Sequence, residues 1–299
     1  MKVLVTGGSG FLGKGLQKVM PEWKYLSSKD LDLRDAEWCR DWFETYKPDA
    51  IIHLASRVGG IKDNIEHPAE FFQKNILMNS NLLEIAYRSG VKRVLSSLST
   101  CAFPDVLHEY PFTERDILMG PPAESNLSYG FAKRALYVQS IAYRKQYGVN
   151  YSCFAPSNIY GPGDDFDPRT SHFAPSLVHR IYNSEKGDTL KFWGTGEPKR
   201  QQLFVDDLAR IIPMLLDRHN SDEPIIVAPE ENLSIRVLIY NALSILRQDR
   251  EVEFTGEMEG QMRKDGSNKK LIKLIGSFEF TPFIDGIKKT YDWYEQQQD

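Results

Sequence analysis

Residues 2–15 read KVLVTGGSGFLGKG, and this stretch decides the predicted fold. Residues 2–6 are an apolar run typical of a short buried strand, and residues 12–19 have the composition of a helix. Two overlapping spacings, G-x-G-x-x-G and G-x-x-G-x-x-G, lie between them and are formed by Gly7, Gly8, Gly10 and Gly13. Glycines let a backbone turn tightly and approach a pyrophosphate, whose charge then lies at the N-terminus of the following helix. The order strand, glycines, helix therefore favours a dinucleotide-binding unit over an ordinary glycine-rich turn.

The chain continues this alternation of strand and helix signals. Further apolar runs of strand length lie at 24–26, 50–55, 93–98 and 150–155, and helical stretches lie at 36–46, 69–88 and 129–147. Strands that are apolar throughout are typical of a parallel sheet covered on both faces. The sequence therefore predicts an α/β, Rossmann-type doubly wound parallel sheet, with ligands bound outside the carboxyl ends of its strands.

The pattern loosens after the first 165 residues, where Pro, Gly, aromatic and basic residues become frequent. A helix is predicted at 203–217 and a buried strand at 224–228, which return the chain to the first domain. We therefore expect a nucleotide-binding domain at 1–165 that is completed at about 203–228. A smaller C-terminal substrate-binding lobe is expected from the remaining segments, 166–202 and 229–299.

Composition argues against several classes of protein. The 299 residues carry 37 Lys and Arg against 41 Asp and Glu, and this net charge of −4 argues against a nucleic-acid partner. Cys39, Cys101 and Cys153 are widely spaced, so no disulfide framework or metal site is indicated, and a reducing, cytoplasmic setting is the simplest expectation. The opening apolar run is too short for a secretion signal, and no run approaches the ~18 apolar residues of a membrane span, so no membrane partner is expected.

The tip of the second predicted strand distinguishes between two cofactors. An NAD site usually places Asp or Glu there, where the carboxylate binds the ribose 2′-hydroxyl. This chain has Ser28 and Lys29 instead, a hydroxyl and a cation that suit a 2′-phosphate. The sequence therefore predicts NADP(H), unless Lys29 is only a solvated loop charge, and it places Asp32 and Leu33 near the adenine.

YGFAK, residues 129–133, places Tyr129 and Lys133 on one face of a helix. A phenol has a pKa near 10, and a neighbouring ammonium lowers that pKa towards the range useful for proton transfer. An exposed amphipathic helix can carry the same spacing by chance. The glycine turn and a strand-end serine, both upstream, favour a catalytic pair.

SLSTCAF, residues 97–103, brings hydroxyls and a thiol to the end of the fourth predicted strand. Taken alone, Cys101 fits either a small buried packing residue or a base that removes a proton from carbon. Ser97 competes with Ser99 for a catalytic role. The residues alone leave these alternatives open, while the other two cysteines are expected in the core.

Together, the glycine turn, HLAS at 53–56, Ser99 and YGFAK resemble the extended short-chain dehydrogenase/reductases. Longer strings across essentially the whole chain resemble one family within them, the GDP-L-fucose synthases: HLASRVGGI (53–61), STCAFP (99–104), YGFAKR (129–134), PSNIYGP (156–162), SHFAPSLVHR (171–180), FWGTGEPKRQ (192–201) and DGSNKKL (265–271). The resemblance implies that GDP-4-keto-6-deoxy-D-mannose is epimerised at C3 and C5 and reduced at C4 with NADPH. It also implies a homodimer, and the spacing to AFP selects Ser99 over Ser97.

The resemblance implies a role for each motif residue. Cys101 and His172 correspond to the base and the acid of the epimerisations. Ser99 and Tyr129 hydrogen-bond the ketone oxygen, Tyr129 supplies the proton for reduction, and Lys133 supports it. The residues implied to hold the substrate are Arg180, Trp193, Arg200 and Lys270, the last within a basic cluster of Arg263, Lys264, Lys269 and Lys270. The residues implied to contact the cofactor are Gly7, Gly10, Phe11, Leu12, Gly13, Ser28, Lys29, Asp32, Leu33, Leu54, Ala55, Ser56, Tyr129, Lys133, Pro156, Asn158, Ile159 and His172.

The chain departs from the family pattern near the expected sugar pocket. Gly163 and Asp165 stand where His and Asn are usual, and Gln202 stands where an aromatic residue is usual. A C4-reductase or epimerase-reductase acting on a related GDP-4-keto sugar, such as a heptose, is therefore an alternative. A non-catalytic NADP(H)-binding sensor on the same fold is another.

Overall fold

The structure, a computed structural model, describes residues 1–257 and 260–298. The first half of the chain forms β1 Val3–Thr6, α1 Phe11–Val19, β2 Lys24–Leu26, α2 Ala36–Tyr46, β3 Ala50–His53, α3 Ile61–Glu66, α4 Pro68–Arg88, β4 Arg93–Ser97, α5 Leu127–Tyr147 and β5 Asn150–Pro156. The second half forms β6 Asn158–Tyr160, α6 Phe173–Tyr182, β7 Thr189–Phe192, β8 Lys199–Arg200, β9 Gln202–Phe204, α7 Val205–Arg218, β10 Ile225–Val227, β11 Leu233–Ser234, α8 Ile235–Ile245, β12 Glu251–Phe254, α9 Lys269–Ile275 and α10 Phe283–Gln296. Short 3₁₀ turns cover Thr100–Ala102, Glu114–Leu118 and Glu124–Asn126.

A parallel sheet lies at the centre of the described chain, with its strands in the order β10-β5-β4-β3-β1-β2. Successive side chains along each strand point to opposite faces of the sheet. Leu4 and Ile51 pack in the core formed with α2, α4 and α5. Val5 and Ile52 pack in the core formed with α1, α7 and α9. Both faces are therefore covered by helices, which confirms the predicted Rossmann-type doubly wound sheet.

The structure differs from the sequence prediction at two element boundaries. The helix predicted at 203–217 begins only at Val205, because residues 202–204 form β9 and pair with β6. Leu203 and Phe204 are fully apolar and buried, so composition alone could not separate this strand from the helix that follows. The helix predicted at 69–88 is preceded by α3, a separate short helix.

A further apolar core lies apart from the two sheet faces. It is formed by side chains from β6, α6, β7, β9, α8 and α10, among them Tyr160, Leu177, Phe192, Phe204, Ile239 and Phe283. β7 pairs in parallel with β12, which follows α8. This cluster supports α6, and the residue that caps the N-terminus of α6 is His172.

The long helices α4 and α5 pack against each other along one face of the sheet. Each has 21 residues and leaves large apolar side chains exposed, among them Phe72, Leu77, Phe131 and Val138. Across the described part of the chain, no helix is both long and apolar enough to cross a bilayer.

Candidate active site

The turn between β1 and α1 is shaped by its glycines. Gly7 has a φ of +73°, in the left-handed region that favours glycine, and a Cβ there would lie 2.7 Å from the backbone nitrogen of Ala55. A Cβ on Gly13 would lie 2.5 Å from the carbonyl oxygen of Gly7. Gly10 caps α1 without any side chain, and its N–H donates to the Gly7 carbonyl at 3.0 Å. The turn therefore presents mainly backbone at the start of α1.

A cavity of about 390 Å³ opens beside this turn. Seven of the residues predicted to contact a cofactor line it: Gly7, Gly10, Ser28, Asp32, Leu33, Ala55 and Ser56. Ser56 and Asn75 are joined there by a hydrogen bond of 2.7 Å from the Ser56 hydroxyl. The cavity lies at the carboxyl ends of β1, β2 and β3, where ligands of open parallel sheets bind.

Near the tip of β2 the structure brings another cation, Arg34, to the cavity, and the role of Lys29 stays a prediction. Lys29 is exposed and is not part of the cavity wall, whereas Arg34 lines it. Arg34 makes a bidentate pair with Asp32, with Nε–Oδ1 at 2.9 Å and Nη2–Oδ2 at 2.5 Å, and this pair lowers the pKa of Asp32. Arg34 directly follows Asp32 and Leu33, which the sequence places near the adenine. This position in the chain was the available signal that Arg34 lies at the cofactor site.

The other predicted cofactor residues lie around this cavity or farther along the strand ends. Phe11 and Leu12 form the first turn of α1, Gly13 is buried behind the turn, and Leu54 follows β3. Pro156 ends β5, and β6 contains Asn158 and Ile159. None of these residues is among those that line the cavity.

Tyr129 lies in the first turn of α5 and is almost fully buried. Burial raises the pKa of Tyr129 above 10, and hydrogen bonding with the Ser56 and Ser99 side chains only partly offsets this. The direction is opposite to the one predicted from the Tyr–Lys spacing. Lys133 instead donates to the Ser97 carbonyl at 2.9 Å, and burial lowers the pKa of Lys133 to about 8. The lysine therefore fixes the end of β4, and its Nζ also lies 5.6 Å from the centroid of the Tyr129 ring.

The segment after β4 places a hydroxyl and a thiol beside Tyr129. Ser99 caps the short 3₁₀ turn, and its Oγ accepts the N–H of Cys101 at 3.1 Å. Ser97 is the last residue of β4, as expected. Cys39 and Cys153 are buried in the sheet core, which confirms their predicted place, whereas Cys101 is only partly buried.

Lys264 is a residue of this site that sequence reasoning did not single out. Its Nζ lies 2.8 Å from the Cys101 Sγ. Burial acts to raise the pKa of Cys101, but the charge and hydrogen bond of Lys264, with help from Ser99 and Arg200, outweigh it and lower that pKa. The signal in the sequence was the basic cluster, which does not show which of its members points inward.

His172 occupies the N-cap position of α6 and lies close enough to Lys264 for that charge to affect its pKa. Burial lowers its pKa, the charge of Lys264 lowers it further, and the carboxylate of Asp165 acts in the opposite sense. Asp165 is one of the positions that depart from the family pattern, and it accepts a hydrogen bond from the Thr170 hydroxyl at 2.5 Å. Gly163 lies in the same loop with a φ of +86°, and Gln202 is buried in β9.

The predicted substrate residues divide into three groups. Arg200 in β8 is close enough to Cys101 for its charge to lower the thiol pKa. Arg180 and Trp193 meet around β7: Arg180 donates to the Lys191 carbonyl and lies over the Phe192 ring, and Trp193 follows the strand with 52% of its surface exposed.

Lys270 forms a separate ion pair, and its role in holding substrate stays a prediction. Its ammonium pairs with Glu223 immediately before β10, at the amino end of that strand. Ser99 and Cys101 follow the carboxyl end of β4, and β4 and β10 run in the same direction beside β5.

Comparison with known proteins agrees with this geometry. The family model described as NAD dependent epimerase/dehydratase family matches residues 3–228. The GDP-L-fucose synthase of Dictyostelium discoideum is 38% identical in an alignment that covers 98% of this chain and 94% of that protein. The probable GDP-L-fucose synthase of Drosophila melanogaster is 35% identical, with coverage of 100% and 98%.

Solved structures give the same result. A GDP-L-fucose synthetase from Naegleria fowleri bound to NADP is 35% identical with a TM-score of 0.89, and the match covers 99% of this chain and 93% of that chain. A GDP-6-OMe-4-keto-L-xylo-heptose reductase from C. jejuni also has a TM-score of 0.89, but at 21% identity it shows a shared fold alone. The present chain belongs to the NAD dependent epimerase/dehydratase family and, within it, to the family of the GDP-L-fucose synthases.

Proposed function

We propose that this protein converts GDP-4-keto-6-deoxy-D-mannose to GDP-L-fucose, by epimerisation at C3 and C5 and reduction of the C4 ketone with NADPH. The observation that carries the proposal is the meeting of Tyr129, Ser99 and Cys101 beyond the end of β4. His172 lies near the same Lys264 charge that acts on the thiol. Relatives named GDP-L-fucose synthase, at 38% and 35% identity over nearly the whole chain, support the same activity.

The residues present fit NADP(H). Gly7 and Gly13 keep the turn tight, because a Cβ on either would lie 2.7 Å or less from a backbone atom, and the N-terminus of α1 that follows suits a pyrophosphate. Ser28 and Arg34 supply a hydroxyl and a cation at the cavity wall for a 2′-phosphate. When bound, the cofactor supplies the hydride for ketone reduction.

The thiol and the imidazole suit proton transfer at carbon. The C4 ketone makes the hydrogens on C3 and C5 acidic, so a base can remove one and an acid can return a proton to the opposite face. The lowered pKa of Cys101 favours the thiolate as that base. His172 returns the proton; burial and the charge of Lys264 lower its pKa, so its protonated form gives up a proton readily, and Asp165 acts in the opposite sense. Ser99 and Tyr129 stabilise the charge that develops on the ketone oxygen by hydrogen bonding.

Tyr129 suits the last proton transfer. Its raised pKa keeps the phenol protonated at neutral pH, so the hydroxyl can donate its proton to the C4 oxygen as that oxygen becomes an alcohol. Lys133 holds the Ser97 carbonyl and so fixes the strand end from which Ser99 projects. Arg180, Trp193 and Arg200 are proposed to hold the GDP-sugar, within a lobe formed by 166–202 and 229–299.

The test is an assay with GDP-4-keto-6-deoxy-D-mannose, read in two ways. Incubation in deuterated water without NADPH is expected to place deuterium at C3 and C5, and addition of NADPH is expected to give GDP-L-fucose. Reduction without label at C3 and C5 would indicate a C4-reductase. Absence of both label and NADPH oxidation, with GDP-4-keto heptoses also inert, would favour a cofactor-binding sensor.

We also infer that the protein is a homodimer. The exposed apolar side chains of α4 and α5 listed above lie on two helices that already pack together, and a second copy of this pair would cover them. Sedimentation is expected to give twice the chain mass, and Phe72→Glu together with Val138→Glu is expected to give a monomer. A cytoplasmic location is proposed because the three cysteines are free thiols and a thiolate base has to stay reduced.

A further inference from the structure

We propose that Lys264 is a positioning residue for the epimerisation steps, whose ammonium holds the Cys101 sulfur as a thiolate. The catalytic part of this inference rests on the proposed function, whereas the thiolate itself does not. Nothing in the local sequence required this contact, because 163 positions separate the two residues.

The ammonium of Lys264 is directed to sulfur by the pairing of its neighbours. Lys264 is only 8% exposed, and its Nζ lies 2.8 Å from the Cys101 Sγ. The adjacent carboxylate of Asp265 is already paired with Arg263, through Nε–Oδ1 at 2.9 Å and Nη2–Oδ2 at 2.6 Å. A buried ammonium needs a compensating anion or hydrogen-bond acceptor, and the thiolate provides both.

The backbone around Lys264 is held on both sides. On one side, the Lys199 N–H donates to the Met262 carbonyl at 2.9 Å. On the other, the Gln201 side chain accepts from the Gly266 N–H at 2.8 Å and donates to the Gly266 carbonyl at 3.1 Å. Lys199 in β8 and Gln201, which lies between β8 and β9, therefore hold the backbone on both sides of the ammonium-bearing residue.

The charged and titratable groups around the thiol come from several elements, and most of them favour the thiolate. The groups with an electrostatic effect on Cys101, or affected by its charge, are Lys264, Arg200, Tyr129 and Lys133. Burial alone opposes the charged sulfur, and the two cations beside it reverse the outcome. Lys264 also acts on His172 but in the sense that favours the neutral imidazole, with Asp165 opposing it. The Lys264 ammonium thus favours the thiolate form of the base, Cys101. Asp165 instead favours the protonated form of the acid, His172.

The direct test measures the thiol without any substrate. The rate of Cys101 alkylation by iodoacetamide is followed from pH 5 to pH 10, with the modified peptide quantified by mass spectrometry. In Lys264→Met the midpoint is expected to move up by about one pH unit or more, with roughly tenfold slower alkylation at pH 7. Lys264→Arg is expected to retain most of the wild-type midpoint. Lys269→Met, an exposed lysine of the same segment, is the matched control and is expected to leave it unchanged.

The functional readout separates a role in positioning the thiolate from a structural one. Deuterium exchange at C3 and C5 is expected to fall at least tenfold in Lys264→Met at pH 7 and to recover as the pH is raised towards 9, because the thiol then ionises unaided. Oxidation of GDP-L-fucose with NADP⁺, which needs no proton removal at C3 or C5, is expected to change by less than about twofold. Lys264→Gln replaces the methionine variant if that one loses its native circular dichroism.

An unchanged alkylation midpoint in natively folded Lys264→Met and Lys264→Gln would overturn the inference. Suppose that the wild type has a low alkylation midpoint, that the Lys264 variants lose it, and that no deuterium exchange occurs at C3 and C5. In that case the thiolate pairing stands and the proposed function falls. If the wild type exchanges deuterium and the variants keep the midpoint, the proposed function stands and Lys264 has no such role.

Discussion

The turn between β1 and α1 offers a ligand mainly backbone, whereas the region beyond β4 offers side chains. The nucleotide end depends on Gly7, Gly10 and Gly13, which lie within seven consecutive residues. The catalytic end combines Ser99 and Cys101 with groups from α5, the start of α6 and the segment before α9. The glycine turn tolerates changes of its exposed neighbouring residues but not a Cβ added to the glycines themselves. The catalytic end depends instead on the protonation states of individual side chains. The two ends are therefore expected to fail in different ways.

The largest expected effect is at the catalytic end. Tyr129→Phe removes the hydroxyl that donates the proton and is expected to lower kcat for NADPH-dependent ketone reduction by about 10²–10⁴-fold. NADPH affinity, followed by fluorescence titration, is expected to change little because the nucleotide end is untouched. Tyr147→Phe, at the far end of α5, is the control and is expected to retain activity. A loss of less than tenfold would assign the proton to another group.

The next largest expected effect is on the pH dependence of stability, through the buried side chain of His53. Its ring hydrogen-bonds Thr6 in β1 at 2.8 Å and Asn79 at 3.0 Å, and burial lowers its pKa to about 4. The unfolded chain takes up a proton near pH 6.5 and the folded chain only near pH 4, so this contribution to stability is present above pH 6.5 and is lost as the pH falls towards 4. The loss between pH 7 and pH 5 is expected to be about 2 kcal/mol.

The measurement is the free energy of unfolding in urea across this pH range. His53→Gln is expected to be less stable at pH 7 and to show a correspondingly flatter pH dependence than the wild type. His108→Gln, which replaces an exposed histidine, is expected to keep the wild-type slope. Equal slopes for wild type and His53→Gln would mean that folding does not shift the pKa of His53.

The third effect is at the nucleotide end. Gly13→Ala places a methyl group 2.5 Å from one backbone carbonyl oxygen and 2.6 Å from another, so the turn has to open. NADPH binding is expected to weaken roughly tenfold, or about 1.4 kcal/mol, by fluorescence titration. Gly120→Ala is the matched control, because its new methyl would lie 3.4 Å from Pro104. Unchanged NADPH affinity in Gly13→Ala would show that the turn does not hold the pyrophosphate.

The smallest effect sharpens the contrast within the nucleotide end itself. Arg34→Met is expected to reduce the preference for NADPH over NADH about fivefold, since an exposed ion pair contributes up to ~1 kcal/mol. Lys29→Met is expected to change that preference by less than about twofold, because Lys29 lies outside the cavity wall. The reverse order of the two variants would restore Lys29 as the phosphate-binding cation. The readout is the ratio of kcat/KM with the two cofactors.

Local patterns predicted the parts of the fold and site that depend on neighbours in the chain. The strands and helices of the first half, the glycine turn, and the positions of Ser99, Cys101 and Tyr129 all follow from runs of a few residues. The boundary at β9 did not, because Leu203 and Phe204 form a strand only through pairing with β6. Secondary structure fixed by a distant partner leaves little trace in local composition.

The sequence by itself predicted the alternating strands and helices of a parallel sheet and its glycine turn, since apolar runs, glycine spacing and helical periodicity are properties of short segments. The tertiary structure decided which cation belongs to which site. It places Arg34 at the cavity wall and Lys264 at the thiol, and it pairs Lys270 with Glu223. It also reversed the expected direction of the Tyr129 pKa shift. The physical reason is that electrostatic effects depend on distance and burial in three dimensions, and residues far apart in the chain supply both.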